Sequence, residues 1–146
     1  TESSSSSSIE NIYLPYITYK TSMTTRFGGY YNYYYKLAVI DLKSGNRIAL
    51  QDVFKEDNVL EQIQSTCDKF KCNKAENNLD GLLNTMRYSC DASTNAVIDN
   101  SIIKQFILRD IDEKRIEAKI IFQNPCKETN QEGFEPVEWV LEFKRK

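Results

Sequence analysis

Residues Gly28–Phe54 read GGYYNYYYKLAVIDLKSGNRIALQDVF, and this stretch decides the fold. Tyr30–Leu42 predicts a long strand, because aromatic and β-branched residues favour extended structure and successive side chains alternate between two faces. Lys43–Asn46 predicts a tight turn, and Arg47–Leu50 predicts the strand that returns from it. The stretch therefore specifies a hairpin whose end leads into a helix.

Hydrophobic periodicity predicts the elements on either side of this hairpin. Ile9–Lys20 predicts a strand at a sheet edge or with a bulge, because Pro15 cannot donate a ladder hydrogen bond. Apolar residues at helical spacing predict one helix over about Asp57–Phe70 and a second around Leu79–Met86. The last third of the chain predicts three further strands, over Lys104–Arg109, Arg115–Phe122 and Val137–Lys144. The final strand alternates on one side only, which is typical of antiparallel pairing.

Together these elements predict an α+β fold in one domain. We expect a mainly antiparallel, or mixed, sheet of about five strands with two helices packed on one face. A chain of 146 residues has the size of a single domain. Thr1–Ser8 reads TESSSSSS and has no apolar side chain to bury, so we expect residues 1–8 to form a flexible tether and residues 9–146 to form the domain. Because the sequence starts at Thr1 rather than Met, we expect a mature or trimmed form.

Composition restricts the classes of function. Lys and Arg number 19 and Asp and Glu number 21, with no basic block among them, so we expect no nucleic-acid partner. The sequence contains no histidine, which excludes Ser-His-Asp and Cys-His catalysis and His-containing zinc sites. No apolar run approaches the roughly 20 residues of a membrane helix. We therefore expect no cofactor, no metal and no enzymatic activity.

The cysteines predict disulfides. Cys67, Cys72, Cys90 and Cys126 lack the two-residue gap of a redox or zinc motif. In an exported domain we expect the pairs Cys67–Cys72 and Cys90–Cys126, because the first pair is local and the second would hold the helical segment to the C-terminal loop. The alternative is that Cys67 is a small buried apolar residue on its helix face.

A run of tyrosines is the best candidate for a binding surface. Tyr31, Tyr33 and Tyr35 share one face of the predicted strand, and Tyr30 and Tyr34 share the other. Tyrosine offers a large amphipathic area at low entropic cost, which suits protein interfaces and stacking on sugars. The alternative is that these rings are half-buried sheet residues. The candidate ligand-binding residues are Tyr30, Tyr31, Tyr33 and Tyr34, of which we expect Tyr30 and Tyr34 to be accessible.

Three short motifs resemble those of a known family. Gly28–Tyr31, Asp41–Gly45 and Leu50–Phe54 have the order and spacing of a Gly-Gly-Ala-His-Gly loop, an Asp-x-x-x-Gly turn and a Leu-x-Asp-Leu-Phe segment. These motifs are typical of an extracytoplasmic domain of unknown function. It is found at the C-terminal end of the lysozyme-sensing anti-sigma factor RsiV, beside some peptidoglycan deacetylase domains and in bacterial lipoproteins. This chain departs from the family in one place, since Tyr30-Tyr31 replaces the Ala-His of the loop.

The resemblance implies a location and a function. The location is the bacterial cell envelope, in the periplasm or at the cell surface, with membrane contact only through an N-terminal lipid anchor lost from this chain. The function is that of a non-catalytic binding or sensory domain whose ligand is a protein, such as lysozyme, or a cell-wall glycan. Two alternatives stay open: an enzyme that acts on glycans with carboxylates alone, and a structural or accessory lipoprotein.

Overall fold

The structure is a computed structural model that describes residues 2–28, 30–67, 70–90, 94–126 and 136–145, without the side chains of residues 2, 27 and 30–33. Within these residues, nine strands form three antiparallel sheets of three strands each, and three α-helices and one 3-10 helix accompany them. The fold is therefore α+β, as predicted. The arrangement of the strands differs from the prediction, because three small sheets stand where one sheet of about five strands was expected.

The first sheet has the order β1-β2-β3, formed by Glu2–Tyr13, Tyr16–Phe27 and Tyr30–Asp41. The prediction of one strand over Ile9–Lys20 was wrong, because the chain reverses at Leu14-Pro15, where the peptide bond is cis. The expected bulge does occur in β1, where the pairing with β2 shifts by one residue after Ile9. From this turn the paired strands β1 and β2 extend to Glu2 and Phe27, beyond both ends of the predicted strand.

The serine-rich segment is part of this sheet. Ser3–Ser8 pairs residue by residue with Lys20–Thr25, so the segment predicted to be a flexible tether is an extended strand from Glu2 onward. Thr1 lies outside the described residues. The ladder is made by backbone groups, and the free edge of β2 supplies partners whatever side chains the incoming strand carries. Composition alone missed this pairing, because the hairpin that aligns the two strands lies further along the chain.

The turn after β3 forms as predicted, but the returning strand is minimal. Gly45 adopts a positive φ of 73°, and its amide donates to the carbonyl of Asp41 at 2.7 Å. Only a single bridge, between Ile40 and Arg47, pairs the returning segment with β3. The predicted strand over Arg47–Leu50 was therefore wrong at its end, where Leu50 begins a helix.

Along the sequence, the helices follow the first sheet and precede the last three strands. They are α1 at Leu50–Val53, α2 at Glu56–Ser65, α3 at Leu79–Thr85 and a 3-10 helix at Asn100–Lys104. Helix α2 is shorter than the predicted span, because the amide of Thr66 turns back to the carbonyl of Ile63 and ends it. Helix α3 confirms the second predicted helix, and the side chain of Asn78 caps its start.

The second sheet is small, and the third carries much of the core. The second contains β4 at Phe70–Lys71, β5 at Arg87–Ser89 and β6 at Asn95–Val97. The third contains β7 at Phe106–Asp110, β8 at Arg115–Phe122 and β9 at Val137–Lys144. Strand β9 confirms the predicted one-sided alternation, since Trp139, Leu141 and Phe143 are buried and their sequence neighbours are exposed.

The main core lies between the helices and the third sheet. Val59 and Ile63 of α2 are buried there together with Trp139 of β9. The Trp139 ring stacks on Phe70 with centroids 4.2 Å apart, and its Nε1 donates to Thr66 Oγ1 at 2.7 Å. This contact ties the end of α2 to the second and third sheets.

The inner face of the first sheet docks against strand β7. Thr18 Oγ1 donates to the carbonyl of Phe106 at 2.9 Å, and Asn11 Nδ2 donates to the carbonyl of Leu108 at 3.1 Å. Leu37 is buried beside Ile121 of β8. These contacts involve the half of the sheet near the Leu14-Pro15 turn.

Both predicted disulfides are confirmed. Cys67 pairs with Cys72 at a Cα–Cα distance of 6.3 Å, and Cys90 pairs with Cys126 at 5.8 Å. The first closes a local loop after α2, and the second joins the end of β5 to the segment after β8. Two disulfides are compatible with an oxidising, extracytoplasmic location.

Candidate functional site

The register of the first sheet defines which residues share its solvent side. Tyr34 lies directly opposite Met23, and Met23 lies directly opposite Ser5. Directly opposed residues in an antiparallel pair point to the same face. Rows of this kind define what we call the outer face of the first sheet. Its described members are Ser3, Ser5, Ser7, Ile9, Ile12, Ile17, Tyr19, Thr21, Met23, Thr25, Tyr34, Lys36, Ala38 and Ile40.

The outer face is largely apolar and is exposed to solvent. Five of its large side chains are exposed: Ile9 at 54%, Ile12 at 59%, Tyr19 at 36%, Met23 at 45% and Tyr34 at 51%. The charged member of the face is Lys36. The inner face shows the opposite pattern, since its residues on β3 are buried from Tyr35 to Val39. The outer face thus presents apolar surface that the fold itself does not cover within the described residues.

A groove of about 480 Å³ runs along β3 beside the outer face. We call it the β3 groove. Met23 and Tyr34 form part of its wall, Lys36 and Arg47 bring positive charge, and Gln123 contributes from beyond β8. The bridge between Ile40 and Arg47 positions the guanidinium, whose Nη2 donates to the carbonyl of Leu37 at 3.4 Å. No aspartate or glutamate is among the described residues that line it.

Asp99 is the acidic residue whose titration Lys36 influences. The pKa of Asp99 lies below its ordinary value, chiefly because the amide of Ser101 donates to its carboxylate at 2.8 Å. The charge of Lys36 adds to this lowering of the pKa. The lowered pKa keeps Asp99 negatively charged, and this charge lies close enough to Lys36 for the two to interact.

Of the four predicted ligand-binding tyrosines, the structure describes the side chain of Tyr34. Tyr34 is exposed and lines the β3 groove, and Tyr35 is buried, so the predicted alternation of the two faces is confirmed at these two positions. The side chains of Tyr30, Tyr31 and Tyr33 lie outside the described residues, and their role stays a prediction.

Sequence reasoning missed the non-tyrosine part of the surface. Met23 and Arg47 join Tyr34 only through the strand register and the bridge to Ile40. A periodic pattern shows which residues share a face of one strand, but it does not show which strand pairs with it. The sequence signal that could have suggested Met23 is its place as a lone methionine in the threonine-rich run before Gly28.

Among the residues that the structure describes, no group of three or more cysteine, aspartate or glutamate side chains is arranged to hold a metal ion. The helices described here are all too short or too polar to cross a membrane.

Comparison with known proteins adds no family to this picture. No protein-family model matches the chain, and no curated protein matches its sequence. The resemblance of the three motifs to the RsiV-like domain therefore stays a prediction.

Proposed function

We propose that this chain is a non-catalytic extracytoplasmic binding domain that engages a protein partner through the outer face of its first sheet. One observation carries the proposal: five large apolar side chains are exposed on one sheet face, with Met23 and Tyr34 on one side of the polar row Ser7–Thr21–Lys36 and Ile9, Ile12 and Tyr19 on the other. Clusters of exposed apolar side chains with polar residues beside them are typical of protein interaction sites. Sheet geometry favours this use, because rows of side chains project in a fixed spacing from a hydrogen-bonded backbone.

The positive charges at this surface indicate which kind of protein partner would fit it. Lys36 lies on the outer face, and Arg47 lines the adjoining β3 groove, with no carboxylate among the described lining residues. A partner that places acidic side chains beside its apolar contacts would complement both cations. Tyrosine and methionine, as in Tyr34 and Met23, are residue types enriched in the core of protein interfaces.

The two disulfides support the extracytoplasmic part of the proposal. With it we propose a place in the bacterial cell envelope and membership of the RsiV-like domain family, on the strength of the three motifs. A lysozyme-like protein is then the first partner to test. Attachment through an N-terminal lipid anchor stays a prediction.

A cell-wall glycan is the second candidate ligand. The exposed rings of Tyr19 and Tyr34 could stack on sugar rings, which is the observation in its favour. A carboxylate-dependent enzyme has less support, because a glycosidase needs a pair of acids in a cleft. No aspartate or glutamate is among the described residues that line the β3 groove.

A binding screen tests the proposal. The probes are lysozyme and soluble peptidoglycan fragments, measured against the wild type, Tyr34→Ala and Met23→Ala. Val97→Ala is the matched control, because Val97 is an exposed apolar residue on β6, outside the first sheet. We expect a protein probe to bind, with each outer-face variant weakening it about tenfold, or ~1.4 kcal/mol, and the control leaving it unchanged.

Three other outcomes of the screen would each lead to a different conclusion. Binding of the glycan fragments alone, with the same loss in Tyr34→Ala, would replace the protein partner by a glycan at the same surface. Concentration-dependent dimerisation that Met23→Ala abolishes would identify a second copy of the chain as the partner. Binding that neither outer-face variant weakens would contradict the proposed surface.

A further inference from the structure

A second concavity lies at the opposite end of the first sheet. We call it the hairpin cleft, and its volume is about 750 Å³. It is lined by the β1–β2 turn at Tyr13–Tyr16, by Val53–Lys55 and Asn58 around the start of α2, and by Ile116 with Phe143–Arg145 of the third sheet. None of the described residues that line the hairpin cleft also lines the β3 groove, so the two are separate.

The cleft has a rigid apolar wall. The rings of Phe54 and Phe143 stack with centroids 3.9 Å apart and planes inclined by 7°. Phe143 is buried in the core beneath, and Ile116 lies directly opposite it on β8. Tyr13 and Tyr16 are partly buried against the same core. These apolar groups, drawn from four elements, are held by packing and need not reorganise to receive an apolar ligand.

Among the described residues that line the cleft, the charged side chains are all cationic. They are Lys55, Lys144 and Arg145. Arg145 Nη2 lies 3.5 Å from Asp110 Oδ2, so its charge is partly matched, and Tyr13 donates its hydroxyl hydrogen to the same carboxylate at 2.6 Å. Within the described part of the chain, neither Lys55 nor Lys144 forms an ion pair.

The carboxylates near the cleft keep their charge but are held by backbone amides and are not among the described residues that line it. Asp52 Oδ2 accepts from the amide of Ala49 at 2.8 Å, and Asp41 Oδ1 accepts from the amide of Lys43 at 2.9 Å. Helix α2 begins with Glu56 and with a second acid beside it, which offset the positive end of the helix dipole. We therefore base the anion preference on the lining cations and give the helix end no part in it.

We propose that the hairpin cleft binds an amphiphilic carboxylate, with its apolar body against Phe54 and its carboxylate beside Lys55. Ligand sites of this size are mostly apolar and use a few placed polar groups to orient the ligand. A hydrogen bond between an ammonium and a carboxylate is stronger than one between neutral groups, and it gains further where apolar walls exclude water. The chemistry fits two sources: the C-terminal carboxylate of a peptide that ends in an apolar residue, and a free fatty acid.

Binding measurements with three probes test this assignment. The probes are N-acetyl-Leu-Phe with a free carboxylate, the same dipeptide as its C-terminal amide, and decanoate. We expect at least one of the two carboxylates to bind and the amide to bind about tenfold more weakly than the acid. Binding of the dipeptide alone would identify a peptide C-terminus as the source, and binding of decanoate alone would identify a fatty acid. Failure of both acids to bind, or equal binding of acid and amide, would overturn the proposal.

A charge-neutral variant locates the carboxylate. Lys55→Gln removes the charge at a residue that makes no side-chain cap contact, so we expect the fold to persist. It should weaken the acid about fivefold to tenfold, while Lys71→Gln, an exposed lysine on β4 away from the cleft, should leave affinity unchanged. Amide chemical shifts should change around Phe54 and Arg145 and not around Tyr34. Shifts at Tyr34 instead would place the ligand elsewhere and contradict the assignment.

The inference does not rest on the proposed function. The outer-face variants Tyr34→Ala and Met23→Ala should leave carboxylate binding intact, and Lys55→Gln should leave binding at the outer face intact. The failure of one site is therefore distinguishable from the failure of the other.

Discussion

Met23 of β2 and Tyr34 of β3 lie directly opposite each other on the solvent side of the first sheet, and about half of each side chain is exposed. The next residue along β3, Tyr35, points to the other side and is buried. On the inner face of β2, burial falls from Thr18, which is buried, to Thr24, which is partly buried. Met23 and Tyr34 are about half exposed on the outer face, so they contribute little to the core and are available for binding.

Substitutions at this pair should therefore cost little stability. Tyr34→Ser and Met23→Ser should each change the free energy of unfolding by no more than about 0.5 kcal/mol, as is usual for exposed positions. Leu37→Ala, three residues after Tyr34 and on the buried inner face, should cost about 2–5 kcal/mol. Urea denaturation followed by Trp139 fluorescence measures both. A cost of more than about 2 kcal/mol for Tyr34→Ser would show that the ring is packed against the protein in solution.

The hydrogen bond between Thr18 and the carbonyl of Phe106 should be important for attaching the first sheet. Thr18→Val keeps the shape of the side chain but leaves a buried carbonyl without its donor, which typically costs about 1–3 kcal/mol. Thr21→Val is the matched control on the same strand, because Thr21 is exposed on the outer face. Equal stability of the two variants would mean that water satisfies the Phe106 carbonyl.

The two disulfides should differ in what their removal costs. The chain-entropy relation gives about 4 kcal/mol for the Cys90–Cys126 loop, with a sequence separation of 36, and about 2 kcal/mol for the Cys67–Cys72 loop, with a separation of 5. Paired Cys→Ser variants, compared by urea denaturation under oxidising conditions, measure the difference. The reverse order of costs would show that local strain or residual structure outweighs loop entropy.

Acid should weaken the fold partly through Asp99. Its folded-state pKa is lowered below its ordinary value of 3.8, first of all by the hydrogen bond from the Ser101 amide. A lowered pKa means that the folded state binds the proton less tightly than the unfolded state does. Its contribution to stability is therefore present above the ordinary value and is lost as the pH falls through the folded-state pKa.

Asp99→Asn tests this linkage. The wild type should exceed the variant in stability by more at about pH 7 than at about pH 3, because protonation removes the advantage of the carboxylate. Urea denaturation at the two pH values gives the two differences. A constant difference would indicate that the capping bond, rather than the charge, accounts for the effect of the substitution.

Sequence patterns were sufficient where one strand or one pair of residues carried the information. The alternation of Trp139, Leu141 and Phe143 identified β9 and its buried face, because a period of two is visible within eight residues. The cysteine pairs were also predicted correctly. Helix α3 followed from the spacing of Leu79 and its apolar neighbours.

Patterns failed where distant segments decide the structure. The serines of β1 carry no apolar signal, and their pairing follows from the reversal at Leu14-Pro15 and the length of β2. The division into three sheets depends on which strands meet in space, which no local period records. The same holds for the candidate site: Tyr34 was predicted to be exposed, but its neighbours Met23 and Arg47 were not identified with it.

The most direct test of the central claim is the affinity of lysozyme for the wild type, Tyr34→Ala, Met23→Ala and Val97→Ala, measured by isothermal titration calorimetry. If the outer face is the binding surface, the wild type binds, the two outer-face variants bind about tenfold more weakly, and Val97→Ala matches the wild type. Unchanged affinity in both outer-face variants would contradict the claim. Absence of lysozyme binding to the wild type would remove the lysozyme-like partner.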